Sequence, residues 1–495
     1  MSYLKLKKLF EEQSILNDIN GLLNWDMATY MPKKSRGERI KQIKKIYDYK
    51  KKIFDEIKSK ELLKKAEQDN LNSSEELNFY LMKEKLEYFE IIPYEKIKER
   101  ASLSIDCEGY WRDAKIKSDF NIVKKSFKKL VKTIREESEI LSQIKKKNKY
   151  DCLITNYDRS LDSEKITRIF NRVEKFIKRK LPLIFKKQNT SNKYFISKNL
   201  TEEEQFQLSK ILMNKLGFDF NRGRIDKSLH PFCGGSSNDI RITTRFNKND
   251  SFSCFDALMH ETGHGLYEQN LPKKWQHQPL GSAGGMSLHE SQSLFVEMQL
   301  IKSLPTSRFI EKVLKNKMNI DLGEFNYKNI YSFRNKVKKS FIRVDADEVH
   351  YPLHIIHRFN VEKKIIEENA DVESLPDLWN EEFSKIFNYD VDSDNNGCLQ
   401  DIHWYGGDFG YFPTYSIGAI IAAQLMSKIK EEVPDVNLKL ENGDFKLIVK
   451  WLKEKFHKKG NFYKINDLLE LITGEKLNIK YYENHITERY LKEIY

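Results

Sequence analysis

Proline is scarce in this chain, 11 of 495 residues, and no serine- and glycine-rich linker or internal repeat interrupts it. The simplest organisation is therefore one large domain over residues 1–495, and 39% hydrophobic residues are enough to bury a sizeable core at that length. Cysteine is scarce as well. Cys107, Cys152, Cys233, Cys254 and Cys398 are odd in number, widely spaced and form no C-x-x-C. This excludes a disulfide framework and a thiolate zinc site, and points to a reducing compartment. No apolar run is long enough to span a bilayer. The longest, "YSIGAIIAAQLM", reads as a buried helix. The N-terminal "MSYLKLKKLFEEQ" carries charge throughout and lacks the apolar centre of a secretory signal. The expected location is cytoplasmic, with no membrane partner. An acidic excess is missing too: the formal net charge is +13. The lysines, however, interleave with Glu and Asp along helical stretches such as "IKKIYDYKKKIFDEIKSKELLKK", as solvated helix faces do. No RNP, KH or zinc-finger spacing accompanies them, so no nucleic-acid partner is expected.

Helical periodicity dominates what is present. In "SEKITRIFNRVEKFIKRK", Ile166, Ile169, Phe170, Val173, Phe176 and Ile177 fall on one face. "LTEEEQFQLSKILMNKLG" opens with a capping box, Thr201 and Glu204, and closes on Gly217. One segment departs from this pattern. In "DIRITTRF", Ile240, Ile242 and Thr244 alternate with Arg241, Thr243 and Arg245, a period of two that predicts a strand. The fold class is mainly α with a small sheet beside the segment that follows. The edge of that strand is expected to pair with an extended peptide.

That next segment, "DALMHETGHGLYEQ", holds His260, Glu261 and His264 in the order H-E-x-x-H. Residues four apart share a helix face, so both imidazoles reach one ion. Glu261 lies one residue along and meets a metal-held water without binding the metal, as the general base of a zinc-hydrolase helix does. Ser251 or Ser253 is expected to cap this helix, with Asn270 and Pro272 marking its end. Gly263 and Gly265 cost roughly 1 kcal/mol each in a helix, which suggests close approach of another backbone or of substrate. Nine of the eleven histidines lie between His230 and His403, concentrated around the motif.

A catalytic zinc needs a third protein ligand. Glu268 continues the same helix face, but three ligands on one straight face cannot easily surround a tetrahedral ion. His289 and Glu290 open the next helix, "SLHESQSLFVEMQL", where Ser287 and Glu290 also read as a capping box. The loop "GSAGGMS" allows an antiparallel return that would bring Glu290 to the open side of the metal, and Glu290 is the expected ligand. Two further patterns compete for attention. "DSDNNGCLQDIH" matches the first half of a calcium loop through Asp392, Asp394, Asn396 and Gly397, but His403 stands where a bidentate Glu is needed. "HYPLHIIH" sets His350, His354 and His357 on one face near Asp345 and Asp347, which reads better as core or substrate lining than as a second metal site.

With these residues in place, the chain resembles the carboxypeptidase Taq family of H-E-x-x-H metallocarboxypeptidases. "DIRIT" is similar to that family's D-x-R-x-T motif and "HESQS" to its third-ligand helix. "IRVDAD" is similar to I-R-x-x-A-D, "GCLQDIHW" to G-x-x-Q-D-x-H-W, and "GLLNWDMATYMPKKSRGERIKQI" to the N-terminal signature, all in the family's order. The resemblance implies a nearly all-helical fold with a long substrate groove and a small sheet, a homodimer, a zinc or cobalt cofactor, and release of C-terminal residues from peptides with broad side-chain preference. Carried over by motif, it implies His260, His264 and Glu290 as metal ligands, Glu261 as the base, and Arg343, His403 and Tyr415 as substrate contacts. Asp239 and Arg241 of "DIRIT" are further substrate-binding candidates. An exopeptidase needs a fixed cation for the terminal carboxylate, and the planar fork of arginine suits it. By composition and spacing Arg241, Arg245 and Arg343 qualify equally, and only the resemblance selects Arg343, with Asp345 and Asp347 expected to orient it. Two other functions are compatible with parts of the sequence: an oligo-endopeptidase on the same chemistry, and a non-catalytic basic binding protein.

Overall fold

The computed structural model describes residues 1–190, 199–228, 230–247, 250–320 and 326–493. Helices build nearly all of it, and three short strands form one sheet. The helix Ser163–Thr190 buries Ile166, Phe170, Val173, Phe176 and Ile177, with Ile169 half-buried at the margin of the stripe. The helix Glu202–Leu216 opens on the expected box: Thr201 Oγ1 accepts from Glu204 N, the Glu204 side chain accepts from Thr201 N, and Gly217 closes the helix in the left-handed region. "YSIGAIIAAQLM" lies within the buried helix Pro413–Glu432.

The predicted strand is β3 (Asp239–Thr244), and it is the central one. β1 (Gly223–Lys227) pairs with it in parallel and β2 (Phe232–Ser236) antiparallel. Both edges of β3 are therefore occupied, and the expectation that its edge receives a peptide is corrected: the outer strands are β1 and β2. Ile240 and Ile242 point into the core, each contributing roughly 1.5–3 kcal/mol by burial. Thr243, which alternates with Ile242 and Thr244, is buried as well, and Ser228 Oγ donates to its hydroxyl.

One apolar core runs through the chain from Cys107 to Tyr490, and smaller clusters lie under the N-terminal helices. Those helices dock on the sheet through the N-terminal signature. The Trp25 ring stands between the guanidiniums of Arg241 at 4.7 Å and Arg224 at 5.5 Å, and Tyr30 Oη donates to Asp226 at 2.9 Å.

Candidate metal centre and peptide site

The motif helix spans Ser253–Gln269 and ends at Asn270. No serine caps it: the residue before the helix is Phe252, and Asp250 Oδ1, two residues earlier, accepts from Phe252 N at 2.9 Å and Ser253 N at 3.0 Å. Ser251 is turned away, accepting from Leu200 N and donating to Asn199. An Asp at this position also meets the positive end of the helix dipole.

The following helix, Met286–Leu294, runs antiparallel to the motif helix. His260 meets Glu297 just beyond its end, while Glu268 meets His289 near its start. Gly263 makes this crossing possible, because a Cβ there would stand 2.3 Å from the Gln292 carbonyl oxygen. Gly265 faces Phe218, Ile240 and Ile242, so both glycines serve protein packing. The Ser287–Glu290 capping box does not form. Ser287 gives its amide and hydroxyl to the buried Asp158. Glu290 is thereby left to point between the histidines. Its Oε1 lies 3.6 Å from His260 Nε2 and its Oε2 3.3 Å from His264 Nε2. Ligand atoms of the three residues all lie within 4.8 Å of one another. Glu268 is engaged elsewhere, 3.0 Å from His289 Nε2, and the His289 ring stacks on His264 at 4.5 Å.

The donor set fits a divalent cation. Glu290 is 1% exposed, and its Oε1 has no hydrogen-bond partner among the described residues. A buried carboxylate oxygen without a hydrogen bond is costly, and a cation on a two-His, one-carboxylate set removes that cost.

Glu297, which no sequence motif marks, holds the His260 ring. Its Oε2 is 2.9 Å from His260 Nδ1, and Lys302 Nζ donates to its Oε1 at 2.8 Å. Burial disfavours its charge, but Lys302 and then His260 pull its pKa down to about 2. Burial likewise opposes a charged His260, yet the carboxylates of Glu290 and Glu297 hold it up at about 10. Burial takes His264 down to about 4 and Glu261 up to about 7. No partner among the described residues holds the Glu261 carboxylate by a hydrogen bond. Glu297 lies seven residues beyond Glu290, a helical repeat that could have signalled it, although the Phe295–Ile301 turns are π-helical.

Arg343 is 3% exposed. Its Nε donates to Asp401 at 2.8 Å, its Nη1 to Tyr351 Oη at 2.9 Å and its amide to Gln400. The expected orienting residues are corrected accordingly: Asp345 pairs with Arg245 at 3.1 Å and Asp347 with His350 at 2.7 Å. Asp401 is shared with the buried Arg358, whose Nε donates to it at 3.0 Å. Two guanidiniums against one carboxylate leave a net positive charge facing Tyr415, whose ring lies 4.9 Å from the Arg343 guanidinium. His403 Nε2 is 3.0 Å from Tyr415 Oη, and burial takes the His403 pKa down to about 3. The Tyr411 ring lies 5.4 Å from that of His403 and 5.3 Å from that of Tyr415.

The other candidates have partners of their own, and His354 and His357 each place Nδ1 3.4 Å from Arg358 Nη1. Asp239 and Arg241 form a two-pronged pair with each other, at 2.7 and 2.8 Å, beneath Trp25. His354 and His357 are buried against Phe387 and Trp379. In the calcium-like loop, Asp394 accepts from Phe120 N and Asp392 from Asn396 and Ser393. Cys254 is buried and receives the Thr244 hydroxyl, while burial, with Glu261 and Glu268 nearby, pushes the Cys233 thiol up. Two cavities lie near the ends of this region, and neither is lined by His260, His264, Glu290 or Arg343. A cavity of about 210 Å³ touches Glu268, and one of about 530 Å³ touches Asp408, five residues past His403.

The family model for carboxypeptidase Taq (M32) metallopeptidase matches residues 5–490. The chain is 32% identical over 488 residues to Carboxypeptidase 1 of Bacillus subtilis, covering 97% of this chain and 96% of that protein. It is 30% identical over 474 residues to Thermostable carboxypeptidase 1 of Pyrococcus furiosus, covering 95% and 94%. Among solved structures, Trypanosoma cruzi metallocarboxypeptidase 1 superposes with a TM-score of 0.93 at 31% identity, over 99% of both chains.

Proposed function

The chain belongs to the carboxypeptidase Taq (M32) metallopeptidase family, a family of metallocarboxypeptidase hydrolases, and from that premise we propose that it releases C-terminal residues from peptides with Glu261 as general base. The observation that carries this reading is a buried two-His, one-Glu cluster and a buried arginine pair in charge excess, with Tyr351 and Tyr415 feeling the charges of both Glu290 and Arg343.

His260, His264 and Glu290 would hold the divalent cation, with Glu297 fixing the orientation of the His260 ring. When bound, such a cation polarises the scissile carbonyl and acidifies water. Glu261, unheld by other side chains, takes the proton of the attacking water and delivers it to the leaving amine. Tyr415, with Tyr411 and His403 around it, donates to the oxygen on which charge develops. Arg343 receives the terminal carboxylate, and Arg358 and Asp401 keep its fork fixed. An extended peptide is read as lying along the outer edge of β2, whose Cys233 faces Glu261.

The cation is read as zinc, with cobalt able to replace it, because the N and O donor set suits both. A homodimer follows from the resemblance. A cytosolic location is supported by five cysteines that are all free. No helix among the described residues is long and apolar enough to cross a membrane. The core that is continuous from Cys107 to Tyr490, with the N-terminal helices docked on the sheet through Trp25 and Tyr30, supports a single catalytic domain over 1–495.

The test compares one peptide in free-carboxylate and C-terminally amidated form on purified, metal-assayed protein. Single-residue release from the free form alone is expected. Equal cleavage of both forms would replace this reading with an oligo-endopeptidase, and absence of bound metal would overturn both.

A further inference from the structure

Beside the clamp stands a cation that the reading above does not use. Lys115 lies near the C-terminal end of the helix Tyr94–Lys117, far in sequence from every motif. Its Nζ donates to the Gln400 carbonyl at 3.0 Å, next to the Asp401 that holds Arg343. One turn earlier, Trp111 Nε1 donates to the Leu399 carbonyl at 2.8 Å, and the ammonium rests 5.2 Å over the Trp111 ring. Two bonds to consecutive carbonyls thus fix this helix end against the clamp loop. Lys115 is half-buried and makes no ion pair with a carboxylate among the described residues.

The charges around it do not balance. Arg343 and Arg358 share Asp401, and Arg245 pairs with Asp345. With Lys115, four cations stand against two carboxylates. A substrate's terminal carboxylate cancels one of the two excess charges, and one remains. Two imidazoles in the same region sense this field. His230 is taken down to about 4 by burial first and then by Arg343, with Lys115 and Arg245 adding to it, and His403 is taken down to about 3 by burial and then by Arg343. Neither neutral ring compensates the excess. A fixed, partly desolvated ammonium beside the bound carboxylate favours a second anion within reach.

We propose that Lys115 lines the pocket of the departing C-terminal residue and makes the enzyme prefer an acidic side chain, aspartate or glutamate, at that position. This rests on the carboxypeptidase reading and on Arg343 as the clamp, and it narrows the side-chain preference of that same site.

The experiment measures kcat/KM of the metal-loaded enzyme on N-acylated tripeptides that differ only in a terminal Glu, Gln or Lys. Gln is the uncharged match in shape for Glu. At low salt the Glu-to-Gln ratio is expected at about 3- to 10-fold, carried mainly by KM. Lys115→Gln should bring the ratio to about one, and Lys115→Glu should invert it and favour the Lys-terminated peptide. A wild-type ratio of one or less, or a ratio unchanged in Lys115→Gln, overturns the proposal. If the variants fail to fold, the wild-type ratio decides by itself. It should fall toward one between about 0.05 and about 1 M salt, and a ratio independent of salt overturns the assignment. Amidated versions of the three peptides separate the two levels. Cleavage of free and amidated peptides alike defeats the carboxypeptidase reading, whereas strict dependence on the free carboxylate with a Glu-to-Gln ratio of one defeats only the role of Lys115.

Discussion

Arg343 donates its Nε hydrogen to Asp401 Oδ1 at 2.8 Å, and both side chains are almost completely removed from solvent. A guanidinium fixed in this way loses little freedom when it meets a second carboxylate. Arg343→Ala should lower kcat/KM for free-carboxylate peptides on the order of 10²–10³-fold while metal content stays intact, and should narrow the preference for free over amidated peptides. Arg343→Lys should recover little, since a point charge reproduces neither the fork nor the bonds to Tyr351 and Asp401. Wild-type kinetics in Arg343→Ala would move the clamp to Arg245 or Arg241.

Glu261→Gln should keep its metal and lose turnover. The side chain is buried within reach of the cluster but is not one of the three converging ligands. Metal analysis beside kinetics checks this, and a fall in metal stoichiometry would make Glu261 a ligand.

Glu290→Ala should lose the metal, whereas Glu268→Ala should retain it. Glu268 is engaged by His289 at 3.0 Å and lies outside the cluster. Equilibrium dialysis of the two variants discriminates, and the opposite pattern would return the third ligand to the motif helix.

Glu297→Ala should weaken metal binding about 10–100-fold, because His260 loses the partner that sets its ring and tautomer. Lys302→Met should have a smaller effect in the same direction, acting through Glu297. Competition with a chelator reads this without turnover. Unchanged affinity in Glu297→Ala would make the pair merely structural.

Asp158 gives a pH prediction away from the metal ligands. Burial pushes its carboxyl up to about 7 while it accepts two bonds from Ser287 at the start of the third-ligand helix. Its pKa is raised in the folded chain, so the folded state binds more protons than the unfolded one between about pH 4 and 7. Its contribution to stability therefore falls as pH rises through that window and is constant above it. Asp158→Asn should gain on wild type by at least about 1 kcal/mol in going from pH 5 to 7.5. Thermal unfolding of metal-free protein at the two pH values measures the difference, and parallel curves would place the titration elsewhere.

What the sequence determined by itself is what repeats locally. His260 and His264 share a face because any helix puts residues four apart together. Thr201 and Glu204 cap a helix wherever one begins, and "DIRITT" forms a strand through its period of two. Tertiary structure decided everything that needed a partner distant in the chain. Local pattern gave Glu290 two roles, ligand or cap. Asp158, 129 residues upstream of Ser287, took the capping bonds and released Glu290. Arg343 had Asp345 and Asp347 close in sequence, yet Asp401, 58 residues away, orients it. β3 had the residues of a strand, but whether its edge was free depended on β1 and β2. Glu297 and Lys115 carried no motif because their significance lies in what they touch. Hydrogen bonds and ion pairs act over a few ångströms of space and are blind to distance along the chain, so their partners are set only when the helices pack.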